Sequence, residues 1–273
     1  MKPQFHLPLP TYPDGSSFTI IDNAIDLARQ SGADLLASIP EVTISPIRQS
    51  FPTAIDVDAL RAQAENYSRD CGTSLRDHIR EAEAKTGIDV QIHGFRTREP
   101  NVYDTFAQIA KTHDLSVLEA SDLTRTLTET LLFGSGRPVV LFPATSVCGR
   151  IDTVAIAWDG SCAAAKAISS ARLFLDRATK VHVISIVDDK EIDEKSRALF
   201  ISTLKRSGLG VEDLALHAGS QTPASAMQSA AVEQKADILV AGGFGHSRLR
   251  EFILGGVTRE LLGKCDLPVL MAH

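Results

Sequence analysis

The sequence is short of the residues that would announce a specialised class. Its four cysteines, Cys71, Cys148, Cys162 and Cys265, are scattered without a CxxC pair. That excludes a disulfide framework and a ribbon-type zinc site, and it favours a reducing compartment. No apolar run approaches the roughly 18 residues of a membrane span. The opening MKPQFHLPLPTYPDGSS lacks the long apolar centre of an export signal. A cytoplasmic protein without a membrane partner is expected. Basic blocks are missing too, and the net charge of −6 argues against a phosphate-tracking nucleic-acid surface. The eight histidines show no HExxH or other paired spacing, so no metal site is expected. There is no GxSxG elbow, no supported Cys/His pair and no paired-carboxylate motif, which leaves no assignable catalytic residue. What remains is an ordinary globular composition, 44% hydrophobic and 23% charged, in 273 residues, enough for two domains.

The pattern runs twice through one programme. In the first half, residues 4–9, 33–39, 90–95, 115–119 and 138–142 read as short apolar strands. Helical patterns fall at 18–31, 54–86, 103–112 and 124–133, the last closed by Gly134. The second half gives strands at 153–158, 180–186, 211–217, 238–241 and 267–271, with helices at 162–175, 191–206 and 222–234 and in the segment VTRELLGK. Landmarks recur: Asp14-Gly15-Ser16 with Asp159-Gly160-Ser161, and Arg137-Pro138-Val139-Val140 with Leu267-Pro268-Val269-Leu270. Alternating strands and helices predict parallel sheets covered on both faces. A boundary near residues 145–150 divides domains 1–147 and 148–273. Pro8 and Pro10 interrupt the first strand, which must end by about Leu7 to keep its ladder donors.

The most informative stretch is ADILVAGGFGHSRLREFILGGVTRELLGKCDLPVLMA, residues 236–272. A strand leads into glycines 242, 243 and 245, and a second pair, Gly255 and Gly256, precedes a helix. Glycines at a strand end let backbone N–H groups approach a ligand, and a helix start favours phosphate. The stretch lacks the third glycine of a Rossmann fingerprint, and Gly263-Lys264-Cys265 lacks the hydroxyl residue of a Walker loop. Asp159 is placed equally well to cap the next helix or to meet a ligand. Trp158 reads as core packing and Cys265 as an inert buried thiol.

With Gly242-x-x-Gly245, nine residues, then Gly255 before Val257-Thr258, the chain resembles the universal stress protein family in its tandem form. The DGS after the first strand and the terminal PVL strand carry the same likeness. The resemblance implies two doubly wound α/β domains, each a mostly parallel five-stranded sheet of order 3-2-1-4-5 flanked by helices. It also implies ATP, or a related adenine nucleotide, bound in the C-terminal domain as a regulatory ligand, with Mg²⁺ as a candidate companion. Asp159 would lie by the adenine or ribose, and Val187 would touch adenine through its backbone. Gly242 and Gly245 would approach ribose and phosphates beside His246 and Ser247, and Gly255, Gly256, Val257 and Thr258 would close around the phosphate chain. Gly256 departs from the family pattern, which prefers a hydroxyl residue there. The first half has SDLTRTLTETLLFGSGRP after its fourth strand, with no glycine before Gly134. A helix starting early there leaves no phosphate nest, so that half is not expected to bind nucleotide. The terminal PVLMA strand is expected at a sheet edge, where a homodimer or the two halves would pair. The alternatives are a nucleotide-free, stress-linked scaffold and, third, a weak ATPase.

Overall fold

Strands and helices alternate along the whole chain. The computed structural model describes residues 1–46, 56–145, 147–188, 192–243 and 256–273. The first half runs β1 (Gln4–Pro8), α1 (Phe18–Ser31), β2 (Asp34–Thr43), α2 (Val57–Thr86), β3 (Val90–Arg98), α3 (Val102–Ala110), β4 (Leu115–Ala120), α4 (Arg125–Gly134) and β5 (Val139–Pro143). The second runs β6 (Thr153–Ala157), α5 (Cys162–Ser170), α6 (Arg172–Leu175), β7 (Lys180–Ile186), α7 (Glu194–Arg206), β8 (Gly210–Leu216), α8 (Pro223–Glu233), β9 (Ile238–Gly242), α9 (Gly256–Gly263) and β10 (Val269–Ala272).

The hydrogen-bonded strand order is β3-β2-β1-β4-β5-β10-β9-β6-β7-β8. Each half keeps the expected order 3-2-1-4-5, but the two expected five-stranded sheets are one ten-stranded sheet. The reason lies in the terminal strand. β10 pairs antiparallel with β5 through Val269↔Leu141, Leu270↔Val140 and Met271↔Val139, and parallel with β9 on its other side. The PVLMA strand is therefore interior rather than at an edge. All four of its residues are buried, as a strand covered on both faces requires. The other registers among the described residues are parallel.

Two compact units divide the chain, Met1–Val117 and Leu118–His273, with the division inside β4. In the first unit, α1 shows how the pattern becomes a helix. Ile20, Ile21, Ala24, Ile25, Leu27 and Ala28 make its buried face. Ser17 accepts the Ile20 N–H at the start, and Gly32, at φ 62°, closes the end in the left-handed conformation. The long α2 buries only Ser68, Gly72, Leu75, Ile79 and Ala82, a narrow stripe along an otherwise solvent-facing helix. Pro8 is tolerated as the last residue of β1. Leu9 donates to the Ser38 carbonyl, so in a parallel ladder the next donor on that side is Leu7 and the absent Pro8 N–H is not missed by β2.

The core of this unit contains one polar network. His6, fully buried on β1, places Nε2 at 2.7 Å from Ser38 Oγ and Nδ1 at 3.1 Å from Ser116 Oγ. The three side chains come from neighbouring strands β2, β1 and β4, and a neutral imidazole satisfies one hydroxyl as donor and the other as acceptor. Burial, with smaller contributions from the nearby His113 and His93, lowers the His6 pKa from 6.5 to about 3.

In the second unit two helix boundaries differ from the pattern. The expected helix 162–175 breaks at Ala171, whose N–H is shared between the Ala167 and Ile168 carbonyls, a tightened final turn that no Gly or Pro announces. Gly134 does not close α4. It is the last helical residue, Ser135 caps by bonding the Leu131 carbonyl, and the left-handed glycine is Gly136.

The His6 network sets an acid limit on stability. Above pH 6.5 the imidazole is neutral whether the chain is folded or unfolded, and it adds no pH dependence. Below that, the unfolded chain takes up a proton that the core refuses, so stability falls by up to about 1.4 kcal/mol per pH unit until about pH 3. Urea titrations of wild type and His6→Asn between pH 7 and 4 should show a shallower loss in the variant. Parallel pH profiles would refute the assignment.

Candidate functional site

In the second unit β6 lies between β7 and β9, and the end of β9 meets the start of α5. After β6, the chain turns at Asp159-Gly160-Ser161. Gly160 has φ 75°, a conformation that a side chain rarely adopts. Asp159 Oδ1 accepts the Ser161 N–H at 2.9 Å, and Ser161 Oγ accepts the Ala164 N–H at 3.1 Å. The cap of α5 is therefore Ser161, with Asp159 bracing the turn one step earlier. The related motif in the first half is shifted by one residue, since Ser17 rather than Ser16 caps α1.

Gly242 ends β9 directly beneath the first turn of α5. A Cβ there would stand 2.5 Å from the Ala164 nitrogen and 2.6 Å from the Ala163 carbonyl carbon. Backbone cannot yield such a distance, so packing alone demands this glycine. Gly243 continues the ladder by donating to the Ala272 carbonyl at 2.8 Å. Gly256 opens α9 and is exposed, and among the described residues a Cβ added there would meet no atom within 4 Å. Val257 follows half-buried, while Thr258 is only 3% exposed, on the inner side of α9 with Leu261 and Leu262. Gly245, His246, Ser247 and Gly255 lie outside the described residues.

Val187 follows β7, and its N–H donates to the Leu216 carbonyl at 2.9 Å, extending the β7–β8 ladder by one rung. Beside it the carboxylate of Asp188 accepts from His217 Nδ1 and from the Ala218 N–H. These bonds, that of His217 first, hold its carboxyl below the usual range. This Asp188–His217 pair was not anticipated. The available signal was an acid directly after the apolar run of β7 and a histidine directly after β8. Trp158, 9% exposed, stacks on Phe200 of α7 with ring centroids 4.2 Å apart and planes 17° apart. Its backbone N–H donates to the Ile184 carbonyl, and its own carbonyl accepts from Ser185 Oγ. Cys265 is buried, and burial with the adjacent Asp266 pushes its thiol up to about 12, a protonated and unreactive group.

The connection after β4 differs. Only residues 121–124 separate it from α4. The Thr124 N–H is taken by Ser121 Oγ, and the Thr124 hydroxyl donates to the Glu119 carbonyl. Among the described residues no group of three His, Cys, Asp or Glu side chains is placed to hold a metal ion. No helix among them is long and apolar enough to cross a membrane.

In doubly wound sheets the place where the connections diverge, at the C-terminal ends of the strands, is where ligands commonly bind. The model of the Universal stress protein family matches residues 150–273. A universal stress protein of Archaeoglobus fulgidus DSM 4304 aligns over 98% of this chain and 95% of its own, with TM-score 0.71 and 18% identity. A Pseudomonas aeruginosa UCBPP-PA14 protein, described as a putative universal stress protein, aligns over 98% and 92%, with TM-score 0.58 and 14% identity. A universal stress protein solved in complex with cAMP aligns over 45% of this chain and 97% of its own, at 21% identity and TM-score 0.34. No curated protein sequence matches. The family model thus covers the second half of the chain, and the two structures that align over nearly its whole length share its fold.

The two described glycines should part company on substitution. Gly242→Ala should destabilise the protein by about 1–3 kcal/mol through its clash with α5. Gly256→Ala should stay within about 0.5 kcal/mol of wild type. Denaturant midpoints measure both, and equal effects would show that packing does not distinguish them.

Proposed function

We propose that the C-terminal domain, residues 148–273, binds ATP or a closely related adenine nucleotide as a regulatory ligand, and that the N-terminal domain, residues 1–147, does not. The observation carrying this reading is the start of α9. Gly256 there is exposed, nothing among the described residues fills the space beside it, and a helix start favours phosphate. Gly256 and Val257 supply backbone donors at that start, with Thr258 packed beneath them. Gly245, His246, Ser247 and Gly255 complete the phosphate side, and Gly242 places the loop by seating β9 under α5. Asp159 faces the ribose. At Val187 the N–H is engaged, so its carbonyl is the acceptor for the adenine exocyclic amine. Any Mg²⁺ arrives with the phosphates.

Nucleotide binding to the folded form alone stabilises it, and this linkage is how the ligand would regulate the protein's partners. The short connection at residues 121–124, with its Thr124 N–H already engaged, supports a single site per chain. The proposed compartment is the cytoplasm. The proposed homodimer forms through a surface other than β10, whose two sides are occupied within the chain.

Mass spectrometry of ligand released from purified protein, with calorimetric ATP titration, tests this reading. About one nucleotide per chain is expected, with binding lost in Gly245→Val and tightened in Gly256→Ser, which adds a hydroxyl donor at the helix start. Two nucleotides per chain would overturn the assignment of the first domain. No nucleotide and no heat would leave the scaffold reading in its place.

A further inference from the structure

Buried nitrogens without a hydrogen-bond partner among the described residues include Arg125 Nε, Arg197 Nε, both nitrogens of His182 and Trp158 Nε1. The two arginines bond Asp122 and Asp213 through another nitrogen, and His182 Nδ1 stands 3.3 Å from a Glu212 oxygen. Trp158 has no such compensation. Its indole carries a single polar group, a donor with no alternative role. A buried donor left unpaired is a standing cost in the free protein, and in native structures it asks for an explanation.

Its position supplies one. Trp158 stands between two residues of the candidate site, next to Asp159 in the chain and beside the end of β7. The register Ala157↔Ile184 sets Trp158 level with Ser185, so Val187 lies one step further along on the same face of the sheet. Phe200 covers one face of the indole and fixes its plane, which holds Nε1 in place.

We propose that the Trp158 Nε1–H is a ligand-binding donor, pairing with a ring nitrogen of the adenine base. This rests on the nucleotide reading above and adds a contact to it. The purine ring nitrogens are acceptors and the indole is a donor only, so the pairing has one sense. The carbonyl of Val187 and the indole of Trp158 together read an amine beside a ring acceptor, the pattern on adenine's edge. Because Nε1 is screened from water in the free protein, the contact forms as the base displaces what covers it.

Trp158 is the only tryptophan, so intrinsic fluorescence reports on it alone. ATP should shift its emission saturably, in step with calorimetric heat. Trp158→Phe keeps a ring on Phe200 and removes the donor. It should weaken ATP binding about tenfold while the free protein melts no lower than wild type. A merely structural tryptophan would give the reverse, a lowered Tm with affinity kept. Should the phenylalanine variant unfold, Trp158→benzothienylalanine preserves the shape of the indole without its N–H, and the same loss of affinity is expected. Wild-type affinity in a folded variant, or ATP heat without a change in emission, overturns the contact while leaving the nucleotide site standing. No ATP heat with wild type overturns the site and the contact together.

Discussion

Each half of this chain ends in a short apolar strand whose outer row of backbone groups needs partners. The antiparallel pairing of β5 with β10 supplies them within one molecule. Without it, β10 would present three paired positions to solvent, on a strand with no exposed side chain to discourage association. With it, the buried strands β10, β9 and β6 lie in the interior of the sheet. The C-terminal ends of β9 and β6 thus rest on the least exposed part of the second unit.

The two halves share a topology and have put their polar groups to different use. In the second, polarity gathers at the strand ends, in Asp159, Ser161, Asp188 and His217. In the first, the polar network lies in the core, where Ser38, His6 and Ser116 join three adjacent strands. A core hydrogen-bond network of this kind fixes register, because a one-residue slip of any of the three strands would carry its member to the opposite face. Strand ends that took the proposed ligand would have to keep donors available. A fully satisfied core network has none to offer.

Much of the fold was legible because its signals are local. The limits of α1 and β7 match the apolar pattern to the residue, since caps and periodicity lie within the segment they define. The break at Ala171 was not legible, because it depends on how the last turn tightens rather than on a helix-breaking residue. Nor was the interior place of β10. A strand's pattern tells which faces are buried and not which strand lies alongside. At the site, spacing drew attention to Gly242 and Gly256 together, but only coordinates separate their causes. The Asp188–His217 pair joins residues 29 apart in sequence, beyond the reach of any local motif.

The contact between α5 and Gly242 also bears on descent. A glycine held by a helix packed against its α-carbon answers to folding, whatever becomes of the ligand. A related protein that bound no ligand would still be held to this glycine, while at Gly256 no described residue imposes such a constraint. Gly242 taken by itself is therefore a sign of the fold rather than a marker of binding.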